Sequence, residues 1–318
     1  FIIEGCVVTF PGGGIVGWVL DEDEVYEGDL NLGAGTLDLN GHTLVINGRL
    51  IQSGGTVAIN GGQLIVTGDY RLQTPQNDGS YDYSSGYLRM TNVADHVQVL
   101  GDYIIQSQHD HSDLLTAGVL EVKGDFIQQY RDTYQTFAAS GEHKVLLSGT
   151  SAQTVDFRNP RSSYSRFNIL EIANSSEIGV NFATRALVTR ELVTTQSNVT
   201  NSRNLQLAGS AVVSGGSWPY DLSTNENLTL SQDLSVAGDF YIAGGTLNIN
   251  GKNLTVGGDL RIQSFSGSYC SSYFRMTSAA SYVLVEGDFV MYSYKDHSSY
   301  LTRGTLEVKG DFSQREPS

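Results

Sequence analysis

Glycine-broken apolar alternation at a fixed period constrains this chain more than any other feature. Gly245 to Gln263 reads GTLNINGKNLTVGGDLRIQ. Leu247 and Ile249, Leu254 and Val256, and Leu260 and Ile262 alternate with Asn248, Thr255 and Arg261. Period-two alternation sends the first six residues to one side of an extended chain and the others to the opposite side. Asn250-Gly251 and Gly257-Gly258 read as corners with positive φ, where the chain turns within two residues. Apolar spacing of three and four does not persist, so helices are not expected.

The same pattern recurs as GTLDLNGHTLVINGRL from Gly35 and GTVAINGGQLIVTGDYRL from Gly55, with starts 20 residues apart. Glycines at 28, 48 and 68, then at 238 and 258, keep that step. The pattern predicts an all-β parallel β-helix (β-solenoid) of about 20 residues per regular coil, with three short strands per coil. One coil has too few apolar side chains to offset the entropy of ordering its backbone, so the fold is expected only as an array.

Two polar loops interrupt the coils, Pro75 to Tyr87 (PQNDGSYDYSSGY) and Gln108 to Leu115 (QHDHSDLL). Ser266 to Gln314 repeats the course of the first copy: Arg89-Met90-Thr91 answers to Arg275-Met276-Thr277, and LEVKGDF at Leu120 recurs at Leu306. The offset between copies falls by 20 between the glycine pairs 28/238 and 68/258, which predicts one coil missing from the second copy. A further fall of four predicts a shortened tyrosine loop. The expected organisation is one continuous solenoid. Its first unit is 1–200, with regular coils over 25–130 and irregular ones over 131–200. Its second unit is 201–318 and stops inside a repeat. The long tyrosine-rich loops leave on one side. Phe1 to Leu20 is an apolar lead-in, read as an earlier, less regular coil.

The segments GGTLNINGKNLTVGGD, LRMTN, LEVKGDF and ASGEHKVLLSGTSAQTVDF (Ala139 to Phe157) together resemble repeat segments of large modular surface or secreted proteins of Gram-positive bacteria, also found beside polymorphic-toxin and wall-associated modules. The resemblance implies an extracellular or cell-surface, elongated, structural or adhesive protein, and implies no catalytic role.

Formal net charge is −15, which argues against nucleic acid and against an anionic membrane surface. No apolar run approaches the length of a spanning helix, so membrane insertion is not expected. Cys6 and Cys270 are the only cysteines and lie in unlike settings, so no disulfide framework is expected.

Asp21 to Glu24 (DEDE) lacks calcium-loop spacing and reads as a solvated loop. Asp69, Asp102, Asp125, Asp239, Asp259, Asp288 and Asp311 each follow a turn glycine. They read as corner devices whose carboxylates accept N–H groups of the turn, rather than as catalysts. His109, Asp110, His111 and Asp113 answer to Lys295, Asp296, His297 and Ser298. A two-histidine metal site therefore cannot be shared by both copies, and a loop-stabilising hydrogen bond is the expectation. Mixed outward positions disfavour an ice-binding face. No catalytic residue, metal site or cofactor is expected.

The tyrosines are the functional lead: Tyr81, Tyr83 and Tyr87 in the first copy, Tyr269, Tyr273, Tyr292 and Tyr294 in the second. Such rings could stack on sugars or on a neighbouring subunit, or pack the loops onto the flank. The leading expectation is a non-enzymatic rod or fibre-forming surface protein that self-associates end to end or through its loops. A β-helix binding wall or environmental polysaccharide through the tyrosine loops comes second, and a polysaccharide-lyase-like enzyme third.

Overall fold

The computed structural model describes residues 17–130, 134–195 and 197–315. These form short strands with two single-turn 3₁₀ segments, and nearly every strand pairing is parallel. The chain divides into two compact units, 1–184 with 195–198, and 185–194 with 199–318. Strand Ala186–Thr194 belongs to the second unit.

In each unit the chain winds through three faces per coil. The coil from Gly245 to Gln263 has strands Thr246–Asn248, Asn253–Val256 and Leu260–Ile262. Its six expected inward side chains, Leu247, Ile249, Leu254, Val256, Leu260 and Ile262, are all fully buried. Each strand pairs in parallel with its counterparts below and above. Leu254 is in register with Leu234 and Val283, and Phe240, Leu260 and Phe289 stand in one row. The first unit follows the same plan, with Leu44, Leu64, Val97, Leu120, Val145 and Leu170 in one continuous inward row. Each apolar layer is therefore covered by the layers beside it, which is how a thin core excludes water without a second sheet.

The two glycine corners of a coil have different causes. Asn250 and Gly251 do lie at positive φ, 52° and 75°. Gly257 and Gly258 do not, contrary to expectation. A Cβ on Gly258 would run into the Asp239 carboxylate of the coil below, and one on Gly101 or Gly124 would come within 2.5 Å of the Asp69 or Asp102 carboxylate. Close approach between coils, not backbone handedness, requires glycine there.

Coil lengths can be read from corner to corner. In the first unit Asp69 to Asp102 spans 33 residues and Asp102 to Asp125 spans 23. In the second, Asp259 to Asp288 spans 29 and Asp288 to Asp311 spans 23. The difference of four is the shortened tyrosine loop, as expected. The coil counted as missing is present, however. Leu222–Thr224 pairs with Phe240–Ile242, and Asp221 lies 18 residues before Asp239 at the corner. Its corner reads Trp-Pro-Tyr-Asp instead of Gly-Asp, which hid it from a search for glycine spacing.

The stretch read as irregular, 131–200, keeps two of its three faces in register. Lys144–Leu147 and Phe167–Ile172 extend one sheet, and Gln153–Phe157 and Val180–Phe182 another. Phe126, Phe137, Phe157 and Phe167 fill its core with ring centroids 4.9 to 6.3 Å apart. Cys270 is a buried free thiol, while Cys6 and most of the lead-in lie outside the described residues. No helix among the described residues is long and apolar enough to cross a membrane.

Candidate functional site

The most regular polar feature is a column of aspartates at one corner. In the second unit the Asp221 carboxylate accepts the backbone N–H of Asp239 at 2.9 Å, Asp239 that of Asp259 at 2.8 Å, Asp259 that of Asp288 at 2.7 Å, and Asp288 that of Asp311 at 2.8 Å. In the first unit Asp69, Asp102 and Asp125 serve Asp102, Asp125 and Thr154 at 2.7 to 2.9 Å. The expectation that these carboxylates cap their own turns is corrected for six of the seven, all but Asp311: each of the six bonds the next coil. Parallel ladders leave the corner N–H without a strand partner, and the carboxylate below satisfies it. Burial, with the neighbouring Asp102 carboxylate adding to it, raises the Asp125 pKa despite the Thr154 N–H. Arg71 pairs with Asp69 at 2.7 Å, and Arg261 reaches both Asp259 and Asp239. In the first unit Arg49 interrupts the column. Its guanidinium lies 2.6 Å from Asp29 and holds that carboxyl below its usual pKa.

The acidic run Asp21 to Glu24 joins this logic through one member. Asp23 accepts the N–H of Thr43 in the next coil at 2.7 Å, while Asp21 and Glu22 are exposed.

All the long loops described leave each unit at the same corner, between its third and first faces. The first is not irregular throughout: Tyr81–Tyr83 folds back antiparallel on Gln73–Pro75 as a hairpin. The candidate tyrosines separate accordingly. Tyr81 lies under the Arg71 guanidinium, 5.0 Å from it. Tyr83 donates its hydroxyl to the Tyr130 carbonyl at 3.0 Å. Tyr87 stacks on His109 with centroids 4.7 Å apart. In the second copy Tyr273 stacks on Tyr300 at 4.2 Å, with the Lys295 ammonium 5.7 Å from the Tyr273 ring. Tyr269 lies 5.8 Å from Tyr292 and 5.2 Å from Tyr294. The Arg315 guanidinium covers Tyr292 at 4.9 Å. Within each copy the rings thus pack against separate neighbours. Six are part-buried, and Tyr294 alone among them is exposed, at 61 %.

The histidine loops have one geometry in both copies. His111 Nδ1 faces the His109 carbonyl at 3.2 Å, and its Nε2 accepts the Leu88 N–H at 3.4 Å. His297 repeats this with the Lys295 carbonyl at 2.8 Å and the Phe274 N–H at 3.1 Å. That pattern fixes Nδ1 as the protonated nitrogen in each. Asp110 and Asp296 accept the N–H groups of Ser112 and Ser298. These residues pin a loop to the strand beneath it, as expected. Burial lowers the His111 pKa to about 4.

Sequence reasoning did not single out a second polar cluster. Glu121 accepts Gln98 Nε2 at 2.8 Å and the Ser148 hydroxyl at 2.6 Å, and His96 Nε2 lies 3.6 Å away. Tyr282 donates to Glu307 at 2.6 Å in the second copy. The repeated LEVKGDF was the available signal, since its glutamate is the outward residue of the strand. Comparison with known protein families, with curated proteins and with solved structures returned no match to this chain.

Proposed function

We propose that this is a non-enzymatic extracellular structural or adhesive repeat protein, a surface component that self-associates through its loops. The aspartate column carries the reading. The most strongly repeated outward carboxylates each accept a backbone N–H of the next coil, a bond that holds layers together. The Gln73, Gln106 and Glu121 side chains likewise bond across coils. Groups used in this way stiffen an array and are not held ready for a substrate. The resemblance of the repeats to Gram-positive surface-protein segments supports the same reading. Sedimentation velocity over a hundredfold concentration range, with negative-stain microscopy, tests it. Concentration-dependent assembly is expected, and particles that stay monomeric throughout overturn self-association.

A second reading, carbohydrate binding through the tyrosine loops, is favoured by one observation. Tyr294 presents an exposed ring beside Tyr269. Exposed aromatic faces are apolar platforms with a polar edge. Loss of glycan-array binding in Tyr294→Ala would support it, and an array without hits would remove it.

A further inference from the structure

On the outer face of the second unit, arginines lie on aromatic rings without a carboxylate partner. The Arg203 guanidinium stands 4.9 Å from the centre of the Tyr241 ring and 5.9 Å from that of Phe265. Arg185 stands 5.8 Å from the same Phe265 ring. Tyr241 and Phe265 are 6.3 Å apart, so the four side chains form one strip. Phe265 reaches it from the loop after Leu260–Ile262. Both arginines are exposed, and no carboxylate lies within ion-pair distance of either among the described residues. By contrast, Arg49, Arg71 and Arg261 all sit on aspartates.

The register continues the Tyr241 row along the stack. Gln206 pairs with Ser223, and Ser223 with Tyr241, so the three occupy successive coils in one row. Ser223 is small and fully buried, and its hydroxyl is bonded to the Arg203 carbonyl at 2.8 Å. Gln206 is 2 % exposed, and its Nε2 is a buried donor without an acceptor.

From this geometry we infer that Arg185 and Arg203, braced by Tyr241 and Phe265, form a binding site for the oxyanions of an acidic polysaccharide. Both guanidiniums pack against the Phe265 ring and neither is paired with a carboxylate, while Asp239 at the edge of the strip accepts the Tyr241 hydroxyl at 3.1 Å. That arrangement matches an oxyanion, carboxylate or sulfate ester, which accepts from a guanidinium in bidentate fashion. The site lies on an open sheet face, not in a groove or along a free strand edge. Peptides are usually taken by grooves and edges, whereas a stiff polyanion can lie across several coils. A protein of net charge −15 repels polyanions elsewhere, so binding is confined to this strip. The inference does not rest on self-association, since it concerns other residues and another readout.

The test titrates the 318-residue chain with polygalacturonate, dextran sulfate, neutral dextran and poly-L-glutamate by calorimetry at two salt concentrations. Binding to polygalacturonate or dextran sulfate and not to dextran is expected, and which of the two binds names the oxyanion. Arg185→Gln and Arg203→Gln should each weaken binding about tenfold and flatten its salt dependence. Phe265→Ala should weaken it less, because it removes the brace and leaves the charges. Arg275→Gln, an exposed arginine outside the strip, should change nothing. Absence of binding overturns the inference, as does an equal loss in Arg275→Gln or binding to neutral dextran. Poly-L-glutamate bound as tightly as the polysaccharides would overturn the ligand class. Thermal melts of the variants, expected to superimpose on the parent's, exclude unfolding as the cause of any loss.

Discussion

Gly258 has no positive φ to explain it, yet no other residue fits, because the Asp239 carboxylate fills the place of its Cβ. Glycine and aspartate in the Gly-Asp pair thus act on different coils. The glycine admits the carboxylate below, and the aspartate offers one to the coil above. Gly258→Ala should lower the unfolding free energy by about 2–3 kcal/mol, as overpacking does. The loss should be smaller in an Asp239→Ala background, because the obstructing carboxylate is gone. A double-mutant cycle by urea denaturation measures that coupling, and strict additivity would show that the clash is with backbone alone. Tyr83→Phe, which removes the bond to the Tyr130 carbonyl, should cost about 1 kcal/mol in the same assay.

Loops and corners are the elements on which acid should act. His111 and His143 are fully buried in the first unit, and burial lowers their pKa values to about 4 and about 3. His111 is hydrogen-bonded through both nitrogens, whereas neither nitrogen of His143 has a partner. Both pKa values lie below the unfolded value near 6.5, so the unfolded chain binds more protons between those limits. Their contribution is fully present above pH 6.5 and is lost as pH falls through 4 toward 3. For His111 the loss is on the order of 3 kcal/mol. Urea midpoints measured from pH 7.5 to 4 should fall, and His143→Phe should reduce the slope at the acid end. A flat profile in the parent would contradict the burial of these rings.

The two copies of LEVKGDF show at the scale of the whole molecule what stacking contributes. Phe126 and Phe312 occupy the same place in identical heptapeptides. Phe126 is fully buried against Phe157 and Phe167, whereas Phe312 is 59 % exposed, and no described coil lies over it. Phe126→Ala should cost about 3–5 kcal/mol and Phe312→Ala roughly 1 kcal/mol or less in this chain, measured by denaturant unfolding. Equal costs would mean that burial comes from within a coil rather than from its neighbours.

Local sequence carried the alternation, the three strands per coil and the asparagine-glycine corners, because each is written within one coil's length, and comparison of the two copies carried the four-residue difference between loops. It also carried the loop role of His111 and His297, through their shared positions. It could not tell that Gly-Asp bonds forward to another coil, that a coil with a Trp-Pro-Tyr corner keeps the stack, or that Arg203 lies over Tyr241 two coils on. Nor could it show that six of the seven candidate tyrosines are part-buried against neighbours. All of these depend on which residue of one coil stands over which residue of the next. That register is set by packing and ladder bonds between segments 17 to 33 residues apart, so it exists only once the coils have stacked.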